Sequence, residues 1–319
     1  MQLQPAVSVI VPTCGRSGRC QRLLTALSDQ NLQPANFEVV VVDDASDDGT
    51  TEMVEQLRPS LPYRVKALRL EMNSGPAVAR NVGWRASDAK IIAFIDDDCV
   101  PDKNWLSAGL ESMAADSNVG VVQGRTVPPA EYHTTVQPRW HHIQDLPTFS
   151  PYFEACNIFY RKAALISAGG FHEGISWWGE DTALGWEVLK QGWRRGNGSG
   201  SVVVHDVSER GWRWYVHAAW LERNLVGLSL AYPDFRLNAF WRSWAFHRND
   251  VPTALAVLAI ACALRWRPAL LATLPYVFTA KTKPRGPRSL RIFIEQAVVD
   301  CTRLAGHVLA SIEHGVFVL

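Results

Sequence analysis

Three consecutive carboxylates, Asp96–Asp98, directly follow a short apolar run and are well placed to do chemistry. The run, 91–95, predicts a strand buried on both faces, and ligands of open α/β sheets bind at the carboxyl ends of such strands. Adjacent carboxylates repel one another, which predicts a cation among them. A hard divalent ion such as Mg²⁺ or Mn²⁺ prefers these oxygen ligands. A solvated acidic turn is the alternative for this segment taken alone.

A second acidic pair, Glu180 and Asp181, follows Trp177 and Trp178 at the start of a predicted helix. Acidic residues at this place often cap a helix. The functional interpretation is a general base, in which the two tryptophans form a wall for sugar stacking and their apolar surface raises the pKa of the neighbouring carboxylate. The residues alone leave both interpretations open.

His205 ends a predicted strand over residues 202–205. A single histidine after a strand is usually structural. Neutral imidazole also suits ions such as Mn²⁺, so we expect His205 to complete a metal shell begun by Asp98, with Asp206 orienting the ring.

The elements that must position these residues alternate between strand and helix over the first 125 residues, which predicts a mostly parallel sheet flanked by helices. The predicted strands are 7–11, 37–42, 64–70, 91–95 and 119–123. Polar residues follow the strand ends, where one sheet edge could hold a base, a ribose and a diphosphate. Neither GxGxxG nor GxxxxGK[ST] is present in the sequence, so a dinucleotide fingerprint and a P-loop do not explain phosphate binding.

Composition narrows the classes of protein that are possible. The 319 residues carry a formal net charge of +1 and are 47% hydrophobic, which indicates a folded protein without the basic excess of a nucleic-acid binder. The six cysteines have neither CxxC nor zinc-like spacing, and the amino terminus lacks the basic region of a signal peptide. We therefore expect a reduced, cytoplasmic setting.

The stretch 126–151 is rich in proline and shows no helix or strand periodicity. Long loops of this kind are usually functional, and we expect a lid or an acceptor-binding loop. Its histidines, His133, His141 and His142, lack the spacing of an HExxH-type metal site and are interpreted as loop residues.

The carboxyl-terminal third, 211–319, is predicted to be helical and to associate with a membrane. An aromatic, basic segment over 211–248 precedes two apolar runs, 254–264 and 269–280, each shorter than the ~17–25 residues of a spanning helix. We expect an in-plane or re-entrant hairpin on the inner face of a membrane, with the basic residues of 281–291 meeting anionic lipid. A buried hairpin or an oligomer contact is the alternative.

Seven motifs in order resemble family 2 glycosyltransferases. They are PT at 12–13, DDAS-DDGT at 43–50, NSGPAVARNVG at 73–83, FIDDD at 94–98, GGF at 169–171, GED at 179–181 and His205. The resemblance covers about two thirds of the chain. It implies a GT-A fold, Rossmann-like with a mostly parallel sheet, as a catalytic domain over 1–210, followed by the helical region over 211–319.

On the donor side, the resemblance implies that Asp44 contacts the nucleotide base, commonly uracil, with Pro12 and Thr13 packed nearby. It implies that Arg80 reaches the diphosphate and that Asp96 lies near the ribose. Asp97 is expected among the residues that bind the nucleotide-sugar.

On the catalytic side, the resemblance implies that Asp98 ligates Mn²⁺ or Mg²⁺ and that His205 is a further contact to the metal or the diphosphate. Asp181, with Glu180 beside it, would deprotonate an acceptor hydroxyl. Direct attack with inversion needs one base and no protonation of the leaving diphosphate, although the WWGED sequence also resembles retaining enzymes.

We therefore expect a metal-assisted glycosyltransferase that uses a nucleotide-sugar, with UDP favoured, and acts on a lipid-linked or cell-envelope glycan. A homo-oligomer is compatible with this interpretation. A sugar nucleotidyltransferase is the alternative enzyme, since Gly15–Arg19 weakly resembles its glycine-rich basic loop. A non-catalytic nucleotide-sugar-binding membrane scaffold is the alternative outside enzymes.

Overall fold

The computed structural model describes two compact units. The first comprises residues 1–130 with 143–207, and the second comprises residues 131–142 with 208–319. The residues described are 4–132, 140–175, 178–242, 244–263, 265–282 and 290–319.

The first unit is built on an eight-stranded sheet. Its strands are β1 (Val7–Thr13), β2 (Phe37–Asp43), β3 (Arg64–Arg69), β4 (Ile91–Ile95), β5 (Cys99–Pro101), β6 (Val119–Val127), β8 (Asn157–Arg161) and β9 (Arg194–His205). The remaining strand in this numbering, β7 (His141–His142), has two residues and belongs to the second unit. The order across the sheet is β3-β2-β1-β4-β8-β6-β9-β5.

The sheet is mixed and not mostly parallel as predicted. Its first four strands in this order are parallel, whereas β8 runs antiparallel to both β4 and β6, and β5 runs antiparallel to β9. Sequence periodicity reports burial and not strand direction, and β5 consists of only three residues directly after the acidic triplet.

Six helices connect the strands of the first unit. They are α1 (Ser17–Leu27), α2 (Thr50–Leu57), α3 (Pro76–Arg85), α4 (Trp105–Ala114), α5 (Lys162–Ala168) and α6 (Glu180–Lys190). The predicted apolar face of α1 packs on the sheet, since Cys20, Leu23, Leu24 and Leu27 are fully buried. Helix α3 approaches β1 so closely that a Cβ on Gly83 would lie 2.4 Å from Ile10 Cγ2.

The second unit is mainly helical. Its helices are α7 (Gly211–Leu221), α8 (Asn224–Ala231), α9 (Pro233–Ala239), α10 (Asp250–Ala263), α11 (Leu274–Thr282) and α12 (Leu290–Glu313), and the short strands β7 and β10 (Ser208–Glu209) pair antiparallel. The helical prediction was wrong for 241–242 and 244–246, which form no helix. The second apolar run is divided into a 3₁₀ turn, Arg267–Thr273, and α11.

Among the described residues, no helix combines the length and the apolar character that crossing a bilayer requires. The predicted basic cluster lies largely outside these residues, because 283–289 are not described.

Candidate active site

Asp44 is fixed at the carboxyl end of β2 by the backbone at the start of α3. One of its carboxylate oxygens accepts a hydrogen bond from the Ser74 amide at 2.7 Å, and the other accepts one from the Gly75 amide at 2.8 Å. Its own amide donates to the carbonyl of Thr13 at the end of β1. Each carboxylate oxygen has a second lone pair, so Asp44 retains the capacity to accept a hydrogen bond from a base.

The acidic triplet directly follows β4, beside the end of the neighbouring strand β1. Thr13 Oγ1 donates to Asp97 at 2.7 Å, and Asp97 and Asp98 are only 3% and 5% exposed. Burial raises the pKa of Asp97 to about 6, although the Arg16 guanidinium and the Thr13 hydroxyl favour its charged form. Two of the three carboxylates are therefore buried and Asp96 is partly exposed, so the segment is not a solvated turn.

The donor set around Asp98 fits a divalent ion. His205 Nδ1 lies 2.7 Å from the carbonyl oxygen of Asp206, so in the neutral ring Nδ1 carries the proton and Nε2 presents a lone pair. Nε2 lies 3.4 Å from Asp98 Oδ1, another acceptor. Two acceptors facing each other at this distance are stabilised by a shared cation, and carboxylate with imidazole suits Mn²⁺-like ions.

Cys99 is the third potential ligand of this group, and the ligand atoms of Asp98, Cys99 and His205 all lie within 4.8 Å of one another. Cys99 opposes His205 across the β5–β9 pairing and is fully buried. Burial raises the pKa of its thiol well above the usual value, which disfavours the thiolate that binds metals. Asp98 and His205 are the better candidates.

Arg80, on α3, joins the acidic triplet to the acidic pair of α6. Its guanidinium contacts Asp96 at 3.0 Å, Asp181 at 3.2 Å and Glu180 at 3.3 Å, and it lies 5.5 Å from the centre of the Phe171 ring. The residue is 5% exposed. The expected contact between Arg80 and a diphosphate stays a prediction, since three carboxylates engage its guanidinium here.

Both carboxylate oxygens of Asp181 contact neighbouring groups that hold the side chain in place. Oδ2 accepts a hydrogen bond from the Ala155 amide at 2.8 Å, while Oδ1 faces Arg80. Burial and the neighbouring Glu180 raise the pKa of Asp181 above that of an ordinary carboxyl, against the opposing effect of Arg80. A carboxylate with a raised pKa at the start of a helix is suited to accept a proton near neutral pH.

The acidic pair of α6 contacts Arg80, and no side-chain hydrogen bond among the described residues caps this helix. Helix α6 begins after Gly179, whose φ of 103° favours glycine, and the carboxylates of Glu180 and Asp181 both reach Arg80. Trp178 is half-buried, whereas Trp177 lies outside the described residues, so the predicted tryptophan wall stays a prediction. Pro12 is half-buried in β1, next to Thr13.

Sequence reasoning considered Arg16 and Arg19 only as part of the glycine-rich basic loop of the alternative nucleotidyltransferase, and it assigned no role to Arg22. Arg16 contacts Asp97 at 3.0 Å and Asp98 at 3.3 Å, and Arg19 contacts Asp98 at 3.4 Å. Arg22 pairs with Asp206 at 2.5 Å. Their spacing of three residues beside a predicted helix start was the available signal, since it places them on one helical face.

The sequence and the fold both resemble known glycosyltransferases. Residues 8–172, more than half of the chain, match the profile of Glycosyl transferase family 2. Glycosyltransferase AglE of Haloferax volcanii is 34% identical over 120 residues, which are 38% of this chain and 39% of that protein. Poly(ribitol-phosphate) beta-N-acetylglucosaminyltransferase TarS of Staphylococcus aureus is 36% identical over 135 residues, 40% of this chain and 23% of that protein.

Two solved structures have a similar fold. Mannosyltransferase PcManGT from Pyrobaculum calidifontis, in complex with GDP-Man and Mn²⁺, matches with a TM-score of 0.72 and 21% identity over 96% of this chain and 88% of that one. TarS 1–349 from S. aureus, in complex with UDP-GlcNAc, matches with a TM-score of 0.53 and 20% identity over 98% of this chain and 93% of that one. The α/β, GT-A-like architecture implied by the sequence motifs is thereby confirmed.

The present chain spans less than half the length of these curated relatives. The profile match nevertheless includes β1 to β4, the acidic triplet and Arg80. On this match over more than half of its residues, the chain belongs to glycosyl transferase family 2.

Proposed function

We propose that this protein transfers a sugar from a nucleotide-diphosphate sugar to a hydroxyl of a glycan acceptor, with Asp181 as the general base. One observation carries the proposal. The Arg80 guanidinium contacts Asp96 of the acidic triplet and Asp181 of α6, so the proposed donor edge and the proposed base lie on opposite sides of one side chain. An ion pair that only stabilised the fold would require Arg80 to contact one of these two carboxylates and not both.

On the donor side, Asp44 accepts a hydrogen bond from the nucleotide base, beside Pro12 and Thr13. Asp96 lies near the ribose, and Asp97 maintains the edge of the site through its hydrogen bond with Thr13. Asp98 and His205 would hold a divalent ion, which, when bound, supplies positive charge to the leaving diphosphate. The likeness in fold to a protein solved with GDP-Man and Mn²⁺ supports this assignment.

On the acceptor side, Asp181 takes the proton from the attacking hydroxyl. The Ala155 amide and Arg80 fix its carboxylate in place. Its raised pKa lies closer to neutral pH than that of an ordinary carboxyl, which makes it a stronger base. The hydroxyl oxygen then forms its bond to the anomeric carbon while the bond to the diphosphate breaks. One base is sufficient for this direct, inverting displacement, because the diphosphate leaves without being protonated.

Calorimetric titration with UDP-, GDP- and dTDP-sugars, each with Mn²⁺ and with EDTA, tests the donor class. We expect one nucleotide to bind in a metal-dependent way, with UDP favoured, and we expect Asp98→Ala to abolish the effect of the metal. Absence of binding by every donor to the folded protein contradicts the proposal. The TarS complex with UDP-GlcNAc and the PcManGT complex with GDP-Man are the reason to compare these bases.

The acceptor is proposed to be lipid-linked or part of the cell envelope, and the second unit to lie on the inner face of a membrane. Helix α10, the 3₁₀ turn and α11 expose large apolar side chains, namely Leu258, Ile260, Trp266, Leu271, Leu274 and Phe278. Arg265 and Arg267 flank Trp266, and residues 251–282 contain neither Asp nor Glu. This combination of apolar, aromatic and cationic groups complements an anionic lipid surface.

Vesicle flotation tests this membrane surface. We expect the protein to float with phosphatidylglycerol-containing vesicles, less so at high salt, and the double variant Trp266→Glu/Leu271→Glu to remain unbound. The matched control is Met72→Glu, which changes an equally exposed apolar residue of the first unit. Equal flotation of the double variant and the control contradicts the assignment.

A further inference from the structure

Two arginines at the start of α1, Arg16 and Arg19, contact the carboxylate that is proposed to bind the metal ion. Arg16 and Arg19 both approach Asp98 Oδ2, at 3.3 and 3.4 Å, while Asp98 Oδ1 faces His205. Arg16 also holds Asp97 at 3.0 Å. One oxygen of the proposed metal ligand is therefore paired with cationic side chains, while the other faces His205.

The two sides of these ion pairs differ in their freedom to move. The side chains of Arg16 and Arg19 are 37% and 36% exposed, whereas those of Asp97 and Asp98 are 3% and 7% exposed. The partly exposed arginine side chains are able to move into solvent, and the buried carboxylates then need another cation to balance their charge. The carboxylates, in contrast, are fixed in the sheet edge by neighbours such as Thr13.

A diphosphate is the natural alternative partner for the two guanidinium groups. Arginine presents a planar set of donors that matches phosphate oxygens, and these charge-assisted hydrogen bonds are among the strong ones. The Arg16 and Arg19 side chains are more exposed than the carboxylates that they contact. Both contact Asp98 Oδ2, so one ligand close to that oxygen can reach both guanidinium groups.

We propose that Arg16 and Arg19 exchange partners, pairing with Asp97 and Asp98 in the free protein and with the donor diphosphate in the loaded one. The exchange frees Asp98 for the metal, so donor and metal each strengthen the binding of the other. The inference rests on the proposed function for the identity of the diphosphate ligand. The competition between arginine and metal at Asp98 is independent of that identity.

Titration of Mn²⁺, followed by the electron paramagnetic resonance signal of the free ion, tests the competition without donor. We expect Arg16→Gln and Arg19→Gln each to raise the Mn²⁺ affinity of the donor-free protein about two- to fivefold, and the double variant to raise it further. The control is Arg58→Gln, which removes an arginine paired with Glu55 on the surface of the first unit and should bind Mn²⁺ like the wild type. Circular dichroism verifies that each variant is folded.

Calorimetry with UDP and GDP tests the second half of the exchange. We expect each arginine variant to lose about tenfold in affinity for the nucleotide that the wild type binds. The factor by which that nucleotide raises Mn²⁺ affinity should be smaller in the variants than in the wild type. Comparing this factor between proteins removes the contribution of Mn²⁺ binding to the free nucleotide.

Two results overturn the inference in different ways. An unchanged or lower Mn²⁺ affinity in the folded, donor-free variants overturns the exchange, whatever the nucleotide does. Failure of UDP, GDP and, in the same calorimetric assay, dTDP to bind the wild type overturns the diphosphate half of the inference together with the proposed function, and the metal titration still reports on Arg16 and Arg19.

Discussion

Replacing Arg80 with methionine removes the cation that three carboxylates share. Methionine has a similar length and no charge, so Asp96, Glu180 and Asp181 would face one another without compensation. Their distances to Arg80, 3.0–3.3 Å, and its 6% side-chain exposure place this network in the buried class. Breaking such a buried pair costs about 3–5 kcal/mol of the free energy of unfolding, which corresponds to a Tm lower by roughly 10 °C.

The destabilisation of Arg80→Met should depend on pH with a definite sign. Without the guanidinium, the lowering effect of Arg80 is lost, so the pKa of Asp181 in the folded state rises still further above its unfolded value of about 4. The folded variant then holds protons at pH values where the unfolded chain has lost them. Its stability is therefore greatest below the unfolded pKa and falls as pH rises through the raised values.

Thermal unfolding followed by circular dichroism at pH 5 and at pH 8 measures this dependence. We expect the Tm deficit of Arg80→Met relative to the wild type to be larger at pH 8. The control is Arg85→Met on the same helix, whose partner Glu173 is half exposed, as is Arg85 itself, so its loss should cost under about 1 kcal/mol. A deficit for Arg80→Met that equals the control, or is the same at both pH values, refutes the reasoning.

Three further predictions concern packing and protonation. Gly83→Ala places a Cβ 2.4 Å from Ile10 and should lower the free energy of unfolding by about 1–3 kcal/mol. Gly18→Ala has open space around it and should raise that free energy by about a few tenths of a kcal/mol. Urea unfolding of both variants measures the difference. Because the pKa of Asp181 is raised, kcat should begin to fall at a higher pH than an ordinary carboxyl would give. Initial rates measured across the pH range test this, and activity that stays unchanged down to pH 4 contradicts it. Arg303 holds the pKa of buried Glu222 at about 2. This carboxylate therefore stabilises the fold above its unfolded pKa, and that contribution is lost as pH falls toward 2. The stability of Glu222→Gln should depend less on pH in acid than that of the wild type.

The sequence was most informative where burial and chemistry vary together along the chain. The apolar run 91–95 followed by three carboxylates predicted a buried strand and an acidic edge, and the structure has both. The strands predicted over 7–11, 37–42 and 119–123 lie within β1, β2 and β6. These features depend on local patterns, which a sequence displays directly.

The sequence was less informative about which strands and charges become neighbours. The antiparallel insertion of β8 between β4 and β6 pairs residues that lie 35–70 positions apart in the sequence, and their hydrophobic patterns do not encode direction. The contacts of Arg80 with Glu180 and Asp181 span 100 and 101 residues. Such long-range pairing depends on the assembled fold, so a role for Arg80 among carboxylates was not predictable from its neighbours in the chain.

The measurement that tests the central claim most directly is the rate of sugar transfer by Asp181→Asn, alongside calorimetric binding of the nucleotide-sugar donor. Asparagine preserves the shape and the hydrogen-bonding oxygen of Asp181 but cannot take a proton from the acceptor. We predict that transfer falls by about 10²–10⁴-fold while donor affinity stays near that of the wild type. Transfer at near wild-type rate, with the donor bound, would contradict the assignment of Asp181 as the general base.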